Sequence, residues 1–197
     1  MEFLFYYTNL IRAAVVVTTL VQIFKRKYNK IFNGVITIAL TFIPWLLSLI
    51  DIRLNGFTVF LFQTDVFLAV FLGLGYKYYD LLPWLDRFVH FLSGVFFFGF
   101  GMALSEKEPG VGLTGSLIFS FATSLAFHEI WEVFEFLSDS LFRTDHQRWQ
   151  KKSSVINHQP GRAMQPPGLV DTMSDAISNI IGAILACLGW WIYLTRT

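Results

Sequence analysis

LTGSLIFSFATSLAFHEIWEVFEFL, residues Leu113–Leu137, decides how this chain is read. Its first fifteen residues carry no charge, and then His128, Glu129, Glu132 and Glu135 arrive within eight residues. A mostly apolar run of about 18 residues or more is long enough to cross a bilayer as a helix. Acids and imidazoles inside such a helix are costly, so by default they mark a functional site that faces the bundle interior or a wet cavity. Residues at i, i+4, i+7 and i+11 share one helical stripe. Here that stripe is His128, Glu132, Glu135 and Asp139, with Glu129 about 100° away from His128 on the wheel.

The rest of the chain has the same character. Of its 197 residues, 54% are hydrophobic, 18% aromatic and 15% charged, whereas a soluble domain is nearer a quarter charged. Six apolar runs are expected to span the membrane: Phe3–Phe24, Ile31–Ile50, Phe57–Gly75, Leu82–Leu104, Leu113–Leu137 and Leu169–Leu194. The fold class is therefore all-α, a polytopic bundle of about six transmembrane helices, read as one domain over 1–197. The first run lacks the basic start and small-residue cleavage site of a secretory signal, so it is read as a span. The net charge of +1, spread over loops, gives no sign of a nucleic-acid partner, and the single Cys187 excludes an intramolecular disulfide.

Loop charge predicts orientation. The first, third and fifth loops, with Arg87 just inside the fourth span, hold eleven of the fifteen Lys and Arg residues; the opposite side holds Arg53, Lys107 and Arg196. This positive-inside bias predicts a cell-membrane protein with both termini outside and a cytoplasmic polar loop at 138–168.

Two further motifs fall on the same side. The fourth span opens with Asp86-Arg87-Phe88-Val89-His90, behind Pro83 in its first turn and Asp80 as the expected cap. The sixth opens with Asp171-Thr172-Met173-Ser174-Asp175, a stripe that continues through Ser178 and Gly182. At ~1.5 Å per residue, His90 and Asp175 lie about 10 Å below the helix ends and Glu132 about 8 Å, with Asp86, Asp171 and Glu135 in a shallower layer and His128 deepest. Clustered carboxylates must be neutralised, and three means compete. One is a divalent metal ion (Zn, Mn, Fe or Mg); another is protonation in a relay; the third is a structural network with arginines.

The order of these motifs resembles the YjdF-like family of bacterial inner-membrane proteins, a family of uncharacterised function. The residues that carry the resemblance are Asp86-Arg87…His90-Phe91, Trp131-Glu132…Glu135 and Asp171-Thr172…Asp175. It covers the chain from Asp80 onward; the first three spans share only hydropathy, and His128 and Glu129 lie outside the pattern. The resemblance implies a six-span inner-membrane fold and no particular activity.

The leading functional expectation is a metal-dependent enzyme, a hydrolase acting on a lipid or isoprenoid headgroup at the cytoplasmic side. His90, His128, Glu132 and Asp175 are the expected metal ligands, and Asp86, Glu135 and Asp171 the catalytic carboxylates that orient ligands or carry protons. Membrane lipids are the expected partners, with an anionic headgroup held by the basic loop, which also contains His146 and His158. A divalent-cation or proton transporter is the alternative, marked by Ser124, Ser120 and Ser116 continuing the fifth-span stripe, and an ion-stabilised scaffold is the third. Two buried charges away from the cluster, Arg12 and Asp65, invite pairing with each other, unless Arg12 snorkels outward. Pro44 is expected to kink the second span.

Overall fold

The structure is a computed structural model and describes residues 2–108, 110–149 and 166–196. The described residues form helices α1 (Glu2–Phe24), α2 (Tyr28–Leu40), α3 (Ile43–Leu49), α4 (Gly56–Val66), α5 (Tyr78–Leu81), α6 (Pro83–Ser105), α7 (Leu113–Phe142) and α8 (Pro167–Arg196), with a π-helical segment, Phe67–Gly75, continuing α4. Six stretches are long and apolar enough to cross a membrane: α1, Lys30–Leu49, Gly56–Gly75, α6, α7 and α8. The chain is a multi-pass helical membrane protein. The start of α6, the end of α7 and the start of α8, and with them the three acidic motifs, lie at one end of the bundle.

Local chemistry explains most of the ends. Asn55 caps α4, its Oδ1 accepting from the Thr58 amide at 2.8 Å. Pro83 opens α6, where a missing amide hydrogen costs nothing. Asp80 does not cap that helix: it lies in the one-turn α5, and the N-cap position of α6 is Leu82, with no side-chain cap. The fifth span runs to Phe142, five residues past the expected Leu137: Asp139 is still buried against protein, and Arg143 ends the helix in a left-handed conformation.

The second span is interrupted rather than bent. α2 stops at Leu40, and Pro44 falls in the first turn of α3, where proline is tolerated. The Thr41 carbonyl at the break accepts from Arg12 Nη2 at 3.0 Å and from Gln63 Nε2 at 2.9 Å. Arg12 Nε also donates to Thr41 Oγ1 at 2.9 Å, and the guanidinium lies 3.9 Å from the Phe42 ring centroid. So Arg12 is neither paired with Asp65 nor snorkelling freely: it holds the backbone opened by the break. Broken membrane helices persist where neighbours satisfy the freed backbone groups in this way.

α6 is the most buried span and packs against α8, α7 and α4. Three of its glycines allow this, each against a different helix. A Cβ at Gly94 would strike the Asn179 carbonyl of α8; at Gly99, the Thr58 side chain of α4; at Gly101, the Ser120 backbone of α7. Gly182 reciprocates from α8 against the Phe91 carbonyl. Without a hydrophobic drive between helices in lipid, association rests on such close backbone approach and on interhelical hydrogen bonds. Ser124 Oγ donates to the Gly94 carbonyl at 3.0 Å. Below this crossing, fully buried Phe98 packs with Met102, Leu117 and Ala186. At the opposite end of the bundle, Lys107 pairs with exposed Asp51 at 3.1 Å and holds its carboxyl below the usual range.

Gly94→Ala is expected to destabilise the protein by about 1–3 kcal/mol, the usual cost of forcing extra volume into a packed contact. Gly189→Ala on α8, where an added Cβ meets nothing within 4 Å, is expected to be neutral or stabilising by up to about 1 kcal/mol through helix propensity. Thermal unfolding of both variants in the same detergent measures the difference.

Candidate metal centre at one end of the bundle

α6 brings Asp86 and His90 onto one stripe one turn apart, α7 does the same for His128 and Glu132, and α8 for Asp171 and Asp175. The Gly94–Asn179 crossing lies one turn deeper than His90 and Asp175. It therefore sets those two side chains facing each other, with His90 Nε2 at 3.9 Å from Asp175 Oδ2.

His90 is the centre of the cluster. Its Nε2 is 3.8 Å from Asp86 Oδ1, and its ring meets that of His128 edge-on, centroids 5.2 Å apart and planes at 87°. His128 Nε2 is 3.7 Å from Glu132 Oε1. Two sets of three donors thus share His90, one with His128 and Glu132 and the other with Asp86 and Asp175; within each set one donor atom per residue lies within 4.8 Å of the others. Asp86 is largely buried, and the other four are buried.

These separations are too long for hydrogen bonds. Both ring nitrogens of His128 and both carboxylate oxygens of Glu132 are buried without a hydrogen-bond partner among the described residues, although Thr172 on α8 lies close enough to act on the Glu132 carboxylate. Buried polar atoms are nearly always satisfied, so each such group requires an explanation. Two donors on one ion at ~2.1 Å can be no more than ~4.2 Å apart, and the 3.7, 3.8 and 3.9 Å pairs fall inside that limit. The mixed imidazole and carboxylate donors suit Zn, Mn or Fe. The residues fit a divalent ion.

The shallower layer is neutralised from within the chain. Arg148 Nη2 lies 2.7 Å from Asp86 Oδ2 and its Nε 3.8 Å from Asp171 Oδ1. The contact is an ion pair, because the guanidinium N–H is not directed for a hydrogen bond. The Arg148 carbon centre also lies 6.0 Å from the Tyr79 ring centroid. Arg148 is buried and adopts a left-handed backbone with φ 51°. Asp139 holds its segment, accepting from Thr144 Oγ1 at 2.7 Å and from the His146 and Gln147 amides at 2.8 and 3.0 Å. Gln147 Nε2 donates onward to Thr172 Oγ1 at 3.0 Å.

The sequence-predicted residues therefore divide by layer. Of the expected ligands, His90, His128 and Glu132 form one set, whereas Asp175 lies with His90 and Asp86 in the other. Asp86, expected as a catalytic carboxylate, reaches both layers. Asp171 lies by Arg148. Glu135 is partly buried, held by Trp131 Nε1 at 2.9 Å, and within electrostatic reach of Glu132 and Asp86. Asp139, on the same stripe, is a staple for the following segment. Glu129 is exposed. His146 contributes its amide, and His158 lies outside the described residues. Sequence reasoning placed Arg148 only among the loop cations; nothing in a basic loop singles out the one arginine that turns inward. It also missed Asn179, whose Oδ1 lies 3.4 Å from Ser124 Oγ, and Asn179 is fully buried beneath the cluster.

A family model described as predicted membrane protein DUF2238 matches residues 7–196, and the chain belongs to that family. This is consistent with the resemblance to YjdF-like membrane proteins. The match also covers the first three spans, where the motifs alone carried no likeness. No curated protein and no solved structure matches the chain.

Arg148→Ala removes the guanidinium that pairs with Asp86 and Asp171 and is expected to destabilise the fold by on the order of 3 kcal/mol, as when one side of a buried pair is removed. Arg148→Lys should recover only part of this, because a point charge cannot serve both acids as the planar guanidinium does. Adding Asp86→Asn to Arg148→Ala should also restore stability. Thermal melts of the three proteins check this; equal melts for wild type and Arg148→Ala would show the pair to be energetically idle.

Proposed function

We propose that this is a membrane-embedded, metal-dependent hydrolase acting on a lipid or isoprenoid headgroup at the cytoplasmic side, its termini outside. One observation carries the reading: His90 joins two buried donor sets while His128 and Glu132 next to it keep four buried polar atoms without partners. The loop charge bias supports the orientation.

His90, His128 and Glu132 would hold the ion, with Asp175 and Asp86 closing the set from α8 and from the turn above. A divalent ion there would supply Lewis acidity to a phosphate ester and to the attacking water. The chain's own residues do the rest. Arg148 pairs with Asp86 and Asp171 and holds them in place, and Asp86 presents its other oxygen inward to His90. Glu135, aligned by Trp131, takes the proton of the attacking water and returns it to the ester oxygen as the phosphorus–oxygen bond breaks.

The transport alternative is weakened by the serines that suggested it. Ser120 and Ser124 are fully buried, Ser120 Oγ donating to the Ser116 carbonyl at 2.6 Å and Ser124 Oγ to the Gly94 carbonyl. They are packed into the helix crossings rather than lining a path. The scaffold alternative is favoured by one feature, the Arg148 ion pairs of the shallower layer.

Elemental analysis of protein purified without chelator tests the reading, with about one Zn, Mn or Fe per chain expected and loss of it in His90→Ala. A stable preparation that holds no metal and takes none up would overturn it. Glu132→Gln should cost the metal-free protein less than about 1 kcal/mol, since the amide oxygen can still accept from Thr172. It should also abolish the rise in melting temperature on adding metal, which corresponds to about 2.7 kcal/mol at one hundred times Kd. Phosphate release from reconstituted phospholipid or isoprenyl diphosphate separates the hydrolase from the scaffold, which would bind metal and release none.

A further inference from the structure

We infer a second ligand site at the same end of the bundle, a recess for a phosphate group of an anionic lipid, formed where the turn before α2, α2 itself and the end of the π-helical segment meet. It is independent of the metal centre. The recess has a volume of about 720 Å³ and nine lining residues, three of which are lysines, Lys27, Lys30 and Lys77; none is acidic. Three ammonium groups around one concavity with no internal counter-charge repel one another, and an anion between them relieves that repulsion.

The neutral groups are arranged for the same ligand. Lys30 Nζ lies 4.0 Å from the Tyr76 ring centroid, which fixes its position over the ring face. The Tyr76 hydroxyl accepts from buried Gln22 Nε2 at 3.2 Å, so its own proton is available to donate. Asn33 offers its amide from α2, and Gly75 lets it approach, since a Cβ there would lie 3.2 Å from Asn33 Cβ. Lys77 is held in a left-handed backbone at φ 59°, a conformation uncommon away from glycine.

Location favours a lipid over a free phosphate. The lysines stand at the ends of spans, the level of lipid headgroups. Tyr28 and Phe32, which also line the recess, are 74% and 66% exposed, so apolar surface suited to acyl chains adjoins the cationic one.

Native mass spectrometry of the full chain in detergent, titrated with phosphatidylglycerol or with phosphatidylcholine, tests the inference. Wild type is expected to retain phosphatidylglycerol selectively. The double variant Lys30→Gln/Lys77→Gln should bind it about fivefold more weakly per lysine removed, while Lys30→Arg/Lys77→Arg, which keeps the charge, should retain binding. A control, Lys25→Gln/Arg143→Gln, removes the same charge from the same rim outside the recess and should bind as wild type. Equal weakening in the control would overturn the site and leave only diffuse attraction of the basic rim; equal retention of the two lipids together with no stabilisation by inorganic phosphate would overturn it as well. Melting temperature in inorganic phosphate separates the sources. A rise abolished by Lys30→Gln/Lys77→Gln, without selective lipid retention, would support the anion site and assign it to a free phosphate.

Discussion

The crossing of α6 and α8 at Gly94 and Gly182 is the contact on which the remainder of the site depends. In lipid, two helices gain little by burying apolar side chains against each other, since the solvent is equally apolar. What holds them is the approach of backbone to backbone, and it is available only where side chains are missing. Both glycines lie against a carbonyl of the opposite helix, Asn179 for one and Phe91 for the other. One turn nearer the membrane surface, the same geometry sets His90 against Asp175. A bulkier residue at either glycine would move the helices apart and enlarge the 3.9 Å separation that allows one ion to bridge them.

Electrostatically, the cluster uses two different answers to one problem. Buried carboxylates need opposite charge close at hand, and in the shallower layer a guanidinium from the chain supplies it. Deeper, where His128 and Glu132 lie, none of the described arginines or lysines makes an ion pair. The boundary between the layers runs through Asp86, which has one oxygen by Arg148 and the other by His90. A change in charge at the deep site is therefore felt by the segment that carries Arg148, and this segment is tied to α7 by Asp139 and to α8 by Gln147.

Much of this was legible in the sequence because the membrane makes two signals strong. Long apolar runs located all six spans, and period-3.6 spacing put His128 with Glu132, Asp86 with His90 and Asp171 with Asp175. Counting depth from the prolines at the helix starts was enough to match His90 to Asp175. The Arg12–Asp65 pairing failed because a buried arginine can be satisfied by a backbone carbonyl, and the helix break that frees the Thr41 carbonyl has no signature beyond Pro44, which kinks some helices and opens others. Asp139 looked like a fourth member of a charged stripe. Only its position in the last turn, within reach of the amides of 146 and 147, makes it a staple, and turn geometry in a polar loop is not written in hydropathy.

The break in the second span bears on how the protein enters the membrane. Arg12 stands near the middle of α1, and a lone cation at that depth costs a few kcal/mol on insertion. Its partners, the Thr41 carbonyl and hydroxyl, are synthesised 29 residues later. The opened backbone at Thr41 is equally unwelcome in lipid until Arg12 and Gln63 reach it. Neither span is a favourable passenger alone, whereas the pair conceals its polar groups from the acyl chains. Burial of these polar groups therefore favours entry of the first two spans into lipid as a hairpin, with Gln63 of the third completing the seal.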